Sequence, residues 1–209
     1  MTRALIISLT LALLTAGAHS VAAQEFSIDI EAGYADMTSA SSSAKAVFGS
    51  SGAAVFGAGI GYALESGVFF RGGLRRSKRE GERVFAVDET STVFALGHPL
   101  EVTLTPIFGT LGYRFVSDGA MTPYLGLGAG VTRYKETSTV AGITENLDES
   151  AFSYRGLGGI EFLRGPVRVA VEVAWSSAPN VLGQGGISEV FGETDAGGLS
   201  VVGKIVFVP

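Results

Sequence analysis

The chain carries few of the side chains that nucleophilic or acid–base chemistry requires. It has 209 residues, no cysteine and two histidines, of which His19 lies in an apolar N-terminal segment. A nucleophile is usually activated by a neighbouring base, most often a histidine, and His98 stands alone in its stretch of sequence. No metal-ligand spacing occurs, and the glycine run at 126–130 lacks the following helix of a dinucleotide site. The sequence therefore predicts no enzyme, metal site or cofactor.

Nine charged residues fall on one face of alternating segments. Valines at every second position from Val167 to Val173, continued by Trp175, alternate with Arg168, Ala170, Glu172 and Ala174. The other segments, read in the same way, complete a set of inward-facing candidates: Asp29, Glu31, Arg71, Arg75, Arg155, Glu161, Arg168, Glu172 and Lys204. Opposite charges within hydrogen-bonding reach satisfy one another when buried. We expect a network that plugs the interior, with a narrow gated pore as the alternative.

A basic cluster stands at the end of one segment. Residues 75–79 read Arg-Arg-Ser-Lys-Arg, and the planar guanidinium of arginine is well suited to phosphate. We expect Arg76, Lys78 and Arg79 to contact phosphate groups. The alternative is a solvated loop whose charge is partly cancelled by Glu80 and Glu82.

Eight strand-like segments must position these residues. They are predicted at 25–36, 53–63, 67–77, 100–116, 121–135, 151–163, 166–177 and 197–208. Turn-sized gaps alternate with four long polar connections, at 37–52, 78–99, 136–150 and 178–196. All long loops therefore lie at one end, as in barrels with periplasmic turns and extracellular loops.

Hydropathy indicates a membrane. Mean hydropathy is +0.37, yet no apolar run after residue 23 reaches 18 residues, and apolar residues recur at period two, which suits strands with one face to lipid. The sequence predicts an all-β fold: an eight-stranded antiparallel up-and-down transmembrane β-barrel over residues 24–209. Residues 1–23 are predicted to be a signal peptide, with Arg3, an apolar run too short to span a membrane, and small residues before cleavage.

A secreted lipocalin-like barrel has the same alternation with its faces reversed. The minority face here carries glycines, such as Gly57, Gly59 and Gly128, where a solvated exterior would carry Lys, Glu and Thr. Small residues suit the crowded lumen of an eight-stranded barrel. The composition therefore favours the membrane barrel, and the secreted ligand-binding barrel stays as an alternative.

Two strands and the aromatic residues complete the assignment of faces. The apolar parity changes between 102–108 and 111–115, which predicts a bulge or register change near Pro106. In strand five, Leu125 and Leu127 are predicted to face outward, with the glycines between them inward. Aromatic residues predict two interfacial girdles: Phe26, Tyr62, Phe115, Tyr124, Phe162 and Phe207 at the turn end, and Tyr34, Phe56, Tyr134, Phe152 and Trp175 at the loop end.

The segment Thr122-Pro-Tyr-Leu-Gly-Leu-Gly-Ala-Gly-Val131 resembles the Pro-Tyr-Gly-rich strand of eight-stranded outer-membrane barrels of the OmpA/OmpX type, the outer membrane protein beta-barrel domain group. Phe207, followed by Val208 and Pro209, resembles their aromatic C-terminal signal. The resemblance implies the outer membrane of a Gram-negative-type bacterium and insertion by the barrel assembly machinery.

The expected role is that of a structural or surface-interaction barrel, with a narrow small-solute channel as an alternative. In such a membrane the phosphates facing Arg76, Lys78 and Arg79 would belong to lipopolysaccharide. A net charge of −5 argues against nucleic acid as a partner. The long loops are exposed and suited to recognition, but their sequences name no partner.

Overall fold

The computed structural model describes residues 24–89, 92–115, 120–140, 142–162 and 165–209. Within these ranges, eight antiparallel strands form a closed barrel in sequence order, which confirms the predicted architecture. The strands are β1 (Glu25–Asp36), β2 (Gly52–Ala63), β3 (Val68–Phe85), β4 (Phe94–Arg114), β5 (Met121–Val140), β6 (Ile143–Phe162), β7 (Val167–Ser177) and β8 (Gly198–Phe207). The predicted signal peptide lies outside the described residues.

The barrel has a tall side and a short side. The strands β1, β2, β7 and β8 have 10 to 12 residues, close to the roughly 9–11 that cross a bilayer. The strands β3 to β6 have 18 to 21 residues and project beyond it as two hairpins. The bounds of the predicted loops 78–99 and 136–150 were therefore wrong, because a hairpin whose outer face contacts water lacks the apolar period that identifies a spanning strand.

Two folded loops cover the short side. The first contains a 3-10 turn at Thr38–Ala40 and helix α1 (Ser41–Phe48), which ends at Gly49 with a φ of 74°, a left-handed conformation that favours glycine. The second contains helix α2 (Gly186–Val190). Helix α1 packs against β3 and α2, so the loops lie over the barrel mouth. Among the described residues, no helix has the length and apolar character needed to cross a membrane.

Outward apolar side chains encircle the spanning part of the barrel, and we call them the apolar belt. The belt contains Ile28, Ile30, Phe56, Ile60, Phe70, Leu74, Ile107, Leu111, Leu125, Leu127, Val131, Ile160, Val169, Val171, Val173, Val201 and Ile205, all of them exposed. The inward glycines make room for long polar side chains: a Cβ at Gly59 would lie 2.6 Å from Nη2 of Arg71. The predicted inside and outside of the barrel are thus confirmed.

The register of β4 is unbroken at Pro106, so the predicted bulge there was wrong. Ile107 pairs with Leu74 and Leu104 with Ser77, the same offset on both sides of the proline, and pairing with β5 continues through Pro106 itself. A shift occurs instead between Glu82 and Val84 of β3. The apolar residues of β4 change from even-numbered to odd-numbered positions because the medium outside the barrel changes, not because the register of the strand shifts.

The facing of β5 is as predicted, but two of the predicted girdle residues are not at the interface. Leu125 and Leu127 are exposed, whereas Tyr124 and Tyr134 are 8% and 7% exposed. An even-numbered residue must point inward when its odd-numbered neighbours face lipid. Both tyrosines therefore belong to the lumen.

Candidate functional site

The middle of the lumen holds a network of ion pairs between β1 and β3. Asp29 and Glu31 extend from β1, and Arg71 and Arg75 from β3, where the period of two places all four side chains inside. Nε and Nη2 of Arg71 donate to Asp29 at 2.8 and 2.5 Å, and Nε of Arg75 donates to Glu31 at 2.7 Å. These paired contacts fix the guanidinium planes as well as neutralising charge.

Glu172 of β7 joins this network to the opposite wall. It is 1% exposed and accepts hydrogen bonds from Nη2 of Arg75 at 2.7 Å, from the Lys204 ammonium and from the Tyr124 hydroxyl at 3.2 Å. Lys204 also lies 3.6 Å from Glu31. One carboxylate thus connects β3, β5, β7 and β8, and we call the group Asp29, Glu31, Arg71, Arg75, Glu172 and Lys204 the central network.

Arg155 was predicted to join the charge network and instead lies beside it. Its Nη2 donates to Oγ1 of Thr110 at 2.8 Å, and its guanidinium lies 4.7 Å from the centre of the Phe108 ring. In the described part of the chain no carboxylate is within ion-pair distance of it. Its charge is met by a hydroxyl and an aromatic face, a favourable but weaker environment than a carboxylate.

A second, separate group closes the turn end of the lumen. Arg114 lies 2.9 Å from Glu25 and 2.6 Å from Glu161, and Arg168 lies 2.5 and 2.9 Å from the same two carboxylates. Glu161 and Arg168 were predicted, but as members of a single network. Glu25 and Arg114 were missed, although outward Tyr113 already placed Arg114 inside. The assumed register change in β4 hid that signal.

The spaces between these groups are small. A cavity of about 70 Å³ lies between the central network and the turn-end group, lined among others by Glu25, Arg71 and Glu172. Another of about 80 Å³ lies above the network, lined by Arg75, Arg155 and others. Each has room for roughly two or three waters. Side chains therefore fill the spanning part of the lumen.

Above the second of these cavities the inward side chains become apolar. We call this cluster the apolar cap; it contains Met37, Ala40, Leu100, Val102, Leu104, Tyr134, Val181 and Ala196. Its members come from β4, β5 and both folded loops. The cap closes the loop end of the lumen with hydrophobic packing instead of ion pairs.

The structure separates the three residues of the basic cluster. Residues 76–79 are part of β3 rather than a loop, so alternation sends Arg76 and Lys78 outward and Arg79 inward. Arg79 is 8% exposed, donates to the Ser51 carbonyl and lies over the ring of Phe48. Arg79 is therefore corrected to an inward residue that anchors the first folded loop.

The outward members lie by a groove immediately above the apolar belt. The groove has a volume of about 230 Å³ and is lined by Arg76, Glu101, Thr103, Thr105, Arg133, Lys135 and Thr137. Arg76 lies two residues beyond the belt residue Leu74 on β3, and Arg133 lies two residues beyond the belt residue Val131 on β5. The lining holds three cations and one carboxylate, but Arg133 donates two hydrogen bonds to Asp148, from Nε at 2.7 Å and from Nη2. Arg76 and Lys135 therefore supply the free positive charge of this outer groove. Lys78, beside it, is paired with Glu80 and Glu101.

No metal or catalytic centre stands out in the residues that the structure describes. No three His, Cys, Asp or Glu residues there are grouped to hold a metal ion. His98 lies in β4, half-buried, near the tip of its hairpin. The candidate sites of this chain are therefore the lumen, the outer groove and the loop end.

Comparison with known proteins gives a family and a fold. The outer membrane protein beta-barrel domain family matches residues 7–171. Neisserial surface protein A is 14% identical over 87% of this chain and 96% of its own, with a TM-score of 0.52. Ail, the attachment invasion locus protein of Yersinia pestis, bound to the heparin analogue sucrose octasulfate, is 14% identical over 88% and 99%, with a TM-score of 0.51. Curated proteins give no match.

Proposed function

The chain belongs to the outer membrane protein beta-barrel domain family, and we propose that it is a closed, non-catalytic barrel that carries surface-interaction elements in the outer membrane of a Gram-negative-type bacterium. The observation that carries this proposal is the filled lumen. A barrel of eight strands is wide enough only for its own side chains. The projecting hairpins of β3 to β6 and the folded loops are then the parts available to partners.

The lumen argues against the alternative of a small-solute channel. A pore through the centre would have to separate Glu172 from both Arg75 and Lys204, and removing one partner of a buried ion pair costs about 3–5 kcal/mol. Arg71 and Arg75 are each held by more than one contact to carboxylates. A resting barrel of this kind conducts poorly.

Planar-bilayer conductance tests the proposal. The refolded protein, verified by a shift in gel migration between boiled and unboiled samples, is expected to show no steady nanosiemens-scale channels. A mock preparation from cells that do not express the protein, carried through the same purification and refolding, controls for contaminating porins. Steady channels that appear with the folded protein alone would contradict the closed-barrel proposal and favour the channel.

The outer groove supports lipopolysaccharide as a surface partner. Its cations stand at the first polar level above the apolar belt, where the phosphorylated headgroups of an outer leaflet lie. Arg76 supplies the planar donor geometry that phosphate prefers, Lys135 adds a second cation, and the hydroxyls of Thr103 and Thr105 add neutral donors. Arg76 and Lys135 have no ion-pair partner within the described ranges, so their charges are available.

Lipid A binding by the purified protein in detergent tests this contact. The double variant Arg76→Gln, Lys135→Gln is expected to bind bisphosphorylated lipid A at least tenfold more weakly, since hydrogen bonds to charged groups contribute about 1.5–3 kcal/mol each. Affinity for fully dephosphorylated lipid A is expected to stay the same. Lys45→Gln, on exposed α1, removes a cation elsewhere and is the control. An unchanged affinity of the double variant would rule out the groove.

A further inference from the structure

A large cavity opens at the loop end of the barrel, inside the rim and apart from the outer groove. Its volume is about 620 Å³, within the range of roughly 300–1,000 Å³ that small-molecule sites occupy. Its walls come from both folded loops and from both projecting hairpins. Val47, Val102, Leu147 and Leu182 are among the apolar side chains that line it. The cavity therefore has both the size and the surface of a ligand site.

Two hydroxyl groups are buried in this cavity. Ser43 and Ser138 are 7% and 2% exposed, and both line the cavity. Among the described residues neither Oγ atom makes a hydrogen bond, but the Ser43 hydroxyl faces the Glu193 carboxylate and helps to lower its pKa, so Ser138 is the hydroxyl left without a counterpart. Because a buried polar atom left unpaired costs about 1–3 kcal/mol, this atom calls for an explanation. A bound molecule with a donor or acceptor beside Ser138 would supply the missing bond.

Carboxylates make the same cavity electronegative. Glu136, Glu145 and Glu149 line it together with a single cation, Arg83, which is 3.0 Å from Glu145. Glu136 accepts a hydrogen bond from the Tyr134 hydroxyl at 2.6 Å. Within the described ranges, neither Glu136 nor Glu149 has a cationic partner. The net charge of the lining is thus −2, opposite in sign to the outer groove.

We propose that this cavity binds a small amphipathic cation, with its apolar body against the apolar walls, a polar group beside Ser138, and its protonated amine beside Glu136 and Glu149. The site is independent of the lipopolysaccharide contact, since it lies inside the loop cluster and not on the lipid-facing surface. It makes the loop end a receptor for a soluble molecule, in addition to an anchor for surface contacts.

Three probes with one apolar body test the chemistry. The protein in lipid nanodiscs is titrated by calorimetry with 4-phenylbutylamine, 4-phenylbutanol and 4-phenylbutyrate, and each titration is repeated with empty nanodiscs. Saturable binding is expected for the amine, at least tenfold tighter than for the carboxylate, with the alcohol between them. Absence of saturable amine binding above that of the empty discs would overturn the proposal, and so would a preference for the carboxylate.

Variants locate the binding site. The pair Glu136→Gln, Glu149→Gln is expected to bring the amine's affinity close to that of the alcohol, while Glu80→Gln, Glu101→Gln, which removes two carboxylates from the outer surface, leaves it unchanged. Ala44→Phe is expected to fill the cavity and abolish binding of all three probes. Val47→Phe serves the same purpose if Ala44→Phe fails to show the gel shift of a folded barrel. Amine binding that survives a folded filling variant would place it elsewhere and refute the site.

Discussion

The two ends of β4 have the same alternation of side chains, but their apolar residues face in opposite directions. Near the turn end, apolar Leu111 and Tyr113 face outward, whereas near the loop end apolar Leu100, Val102 and Leu104 face inward. The register is the same in both. What changes is the surroundings, from lipid outside the barrel to water. The face that carries the apolar residues therefore indicates whether lipid lies outside the barrel or a packed apolar interior lies inside it. A switch of the apolar residues from one face to the other marks the edge of the membrane.

The contrast extends to what holds each half together. In the spanning half the belt faces lipid, so the lumen is filled with charges that satisfy one another. In the projecting half the outside is wet, so the inward side chains pack as in a soluble protein, gaining roughly 25 cal/mol per Å² of buried apolar surface. Substitutions in the central network and in the apolar cap should consequently destabilise the protein in different ways.

The largest effect is expected from Glu172→Ala in the central network. The change removes a carboxylate shared by Arg75 and Lys204 and leaves them with Glu31, while Arg155 is still nearby, and we expect a loss of about 3–5 kcal/mol in the free energy of unfolding. Urea titration of the protein folded in lipid vesicles measures it. Glu101→Gln, on the outer surface, is the control.

The double variant Glu172→Met, Lys204→Met sharpens this result. It removes one charge of each sign and replaces them with apolar volume, so it is expected to be more stable than Glu172→Ala alone. A double variant as unstable as the single one would show that packing, not charge balance, makes Glu172 necessary.

A smaller and more local effect is expected in the apolar cap. Leu104→Ala opens a cavity beneath the folded loops, a change that costs about 2–5 kcal/mol in well-packed cores. Because Leu104 lies above the spanning strands, the gel shift of the barrel is expected to persist while limited proteolysis of loops 37–51 and 178–197 accelerates. Thr105→Ala, its outward neighbour, is the control. Loss of the gel shift would mean that cap and barrel fold as one unit.

The sequence alone predicts the positions of side chains better in the spanning half than in the projecting half. In the spanning half, the period of two was enough to place Asp29, Arg71 and Glu172 inside, and would have placed Arg114 there too. In the projecting half, local pattern gives no such information. The presence of Val181 and Leu100 in one apolar cluster, or of Ser43 and Ser138 in one cavity, depends on how loops distant in sequence fold over the mouth.

The connection between the two folded loops is expected to depend on pH. Glu193 accepts hydrogen bonds from the backbone amides of Ser42 and Ser43 at 2.9 and 2.8 Å, at the start of α1. Burial alone would raise the pKa of Glu193, but the hydroxyls and the backbone amides of Ser43 and Ser42 outweigh it and lower the pKa below its ordinary value of 4.5. The stabilisation is thus complete above the ordinary value and is lost as the pH falls through the lowered one.

Hydrogen exchange of the α1 amides measures this connection. Protection is expected to fall at acid pH in the native protein, and to be weaker and independent of pH in Glu193→Gln. The loss at neutral pH is expected to be about 0.5–1 kcal/mol, at the lower end for a helix cap, since Gln still accepts a hydrogen bond. Glu189→Gln, in α2, is the control. A native pH dependence that persists in Glu193→Gln would assign the titration to another group.

The smallest effect is expected at Pro106, where the comparison between the two ends of β4 is most directly tested. The proline lacks the N–H that a ladder requires, and pairing between β3 and β4 is interrupted beside it, at Thr105 and Pro106, without a shift. Pro106→Ala adds a donor but also adds freedom to the unfolded chain, so we expect a change within about 1 kcal/mol. Cross-strand NMR contacts are expected to retain the pairing of Leu104 with Ser77. A slipped register in this variant would mean that the proline, and not the edge of the membrane, sets the change of parity.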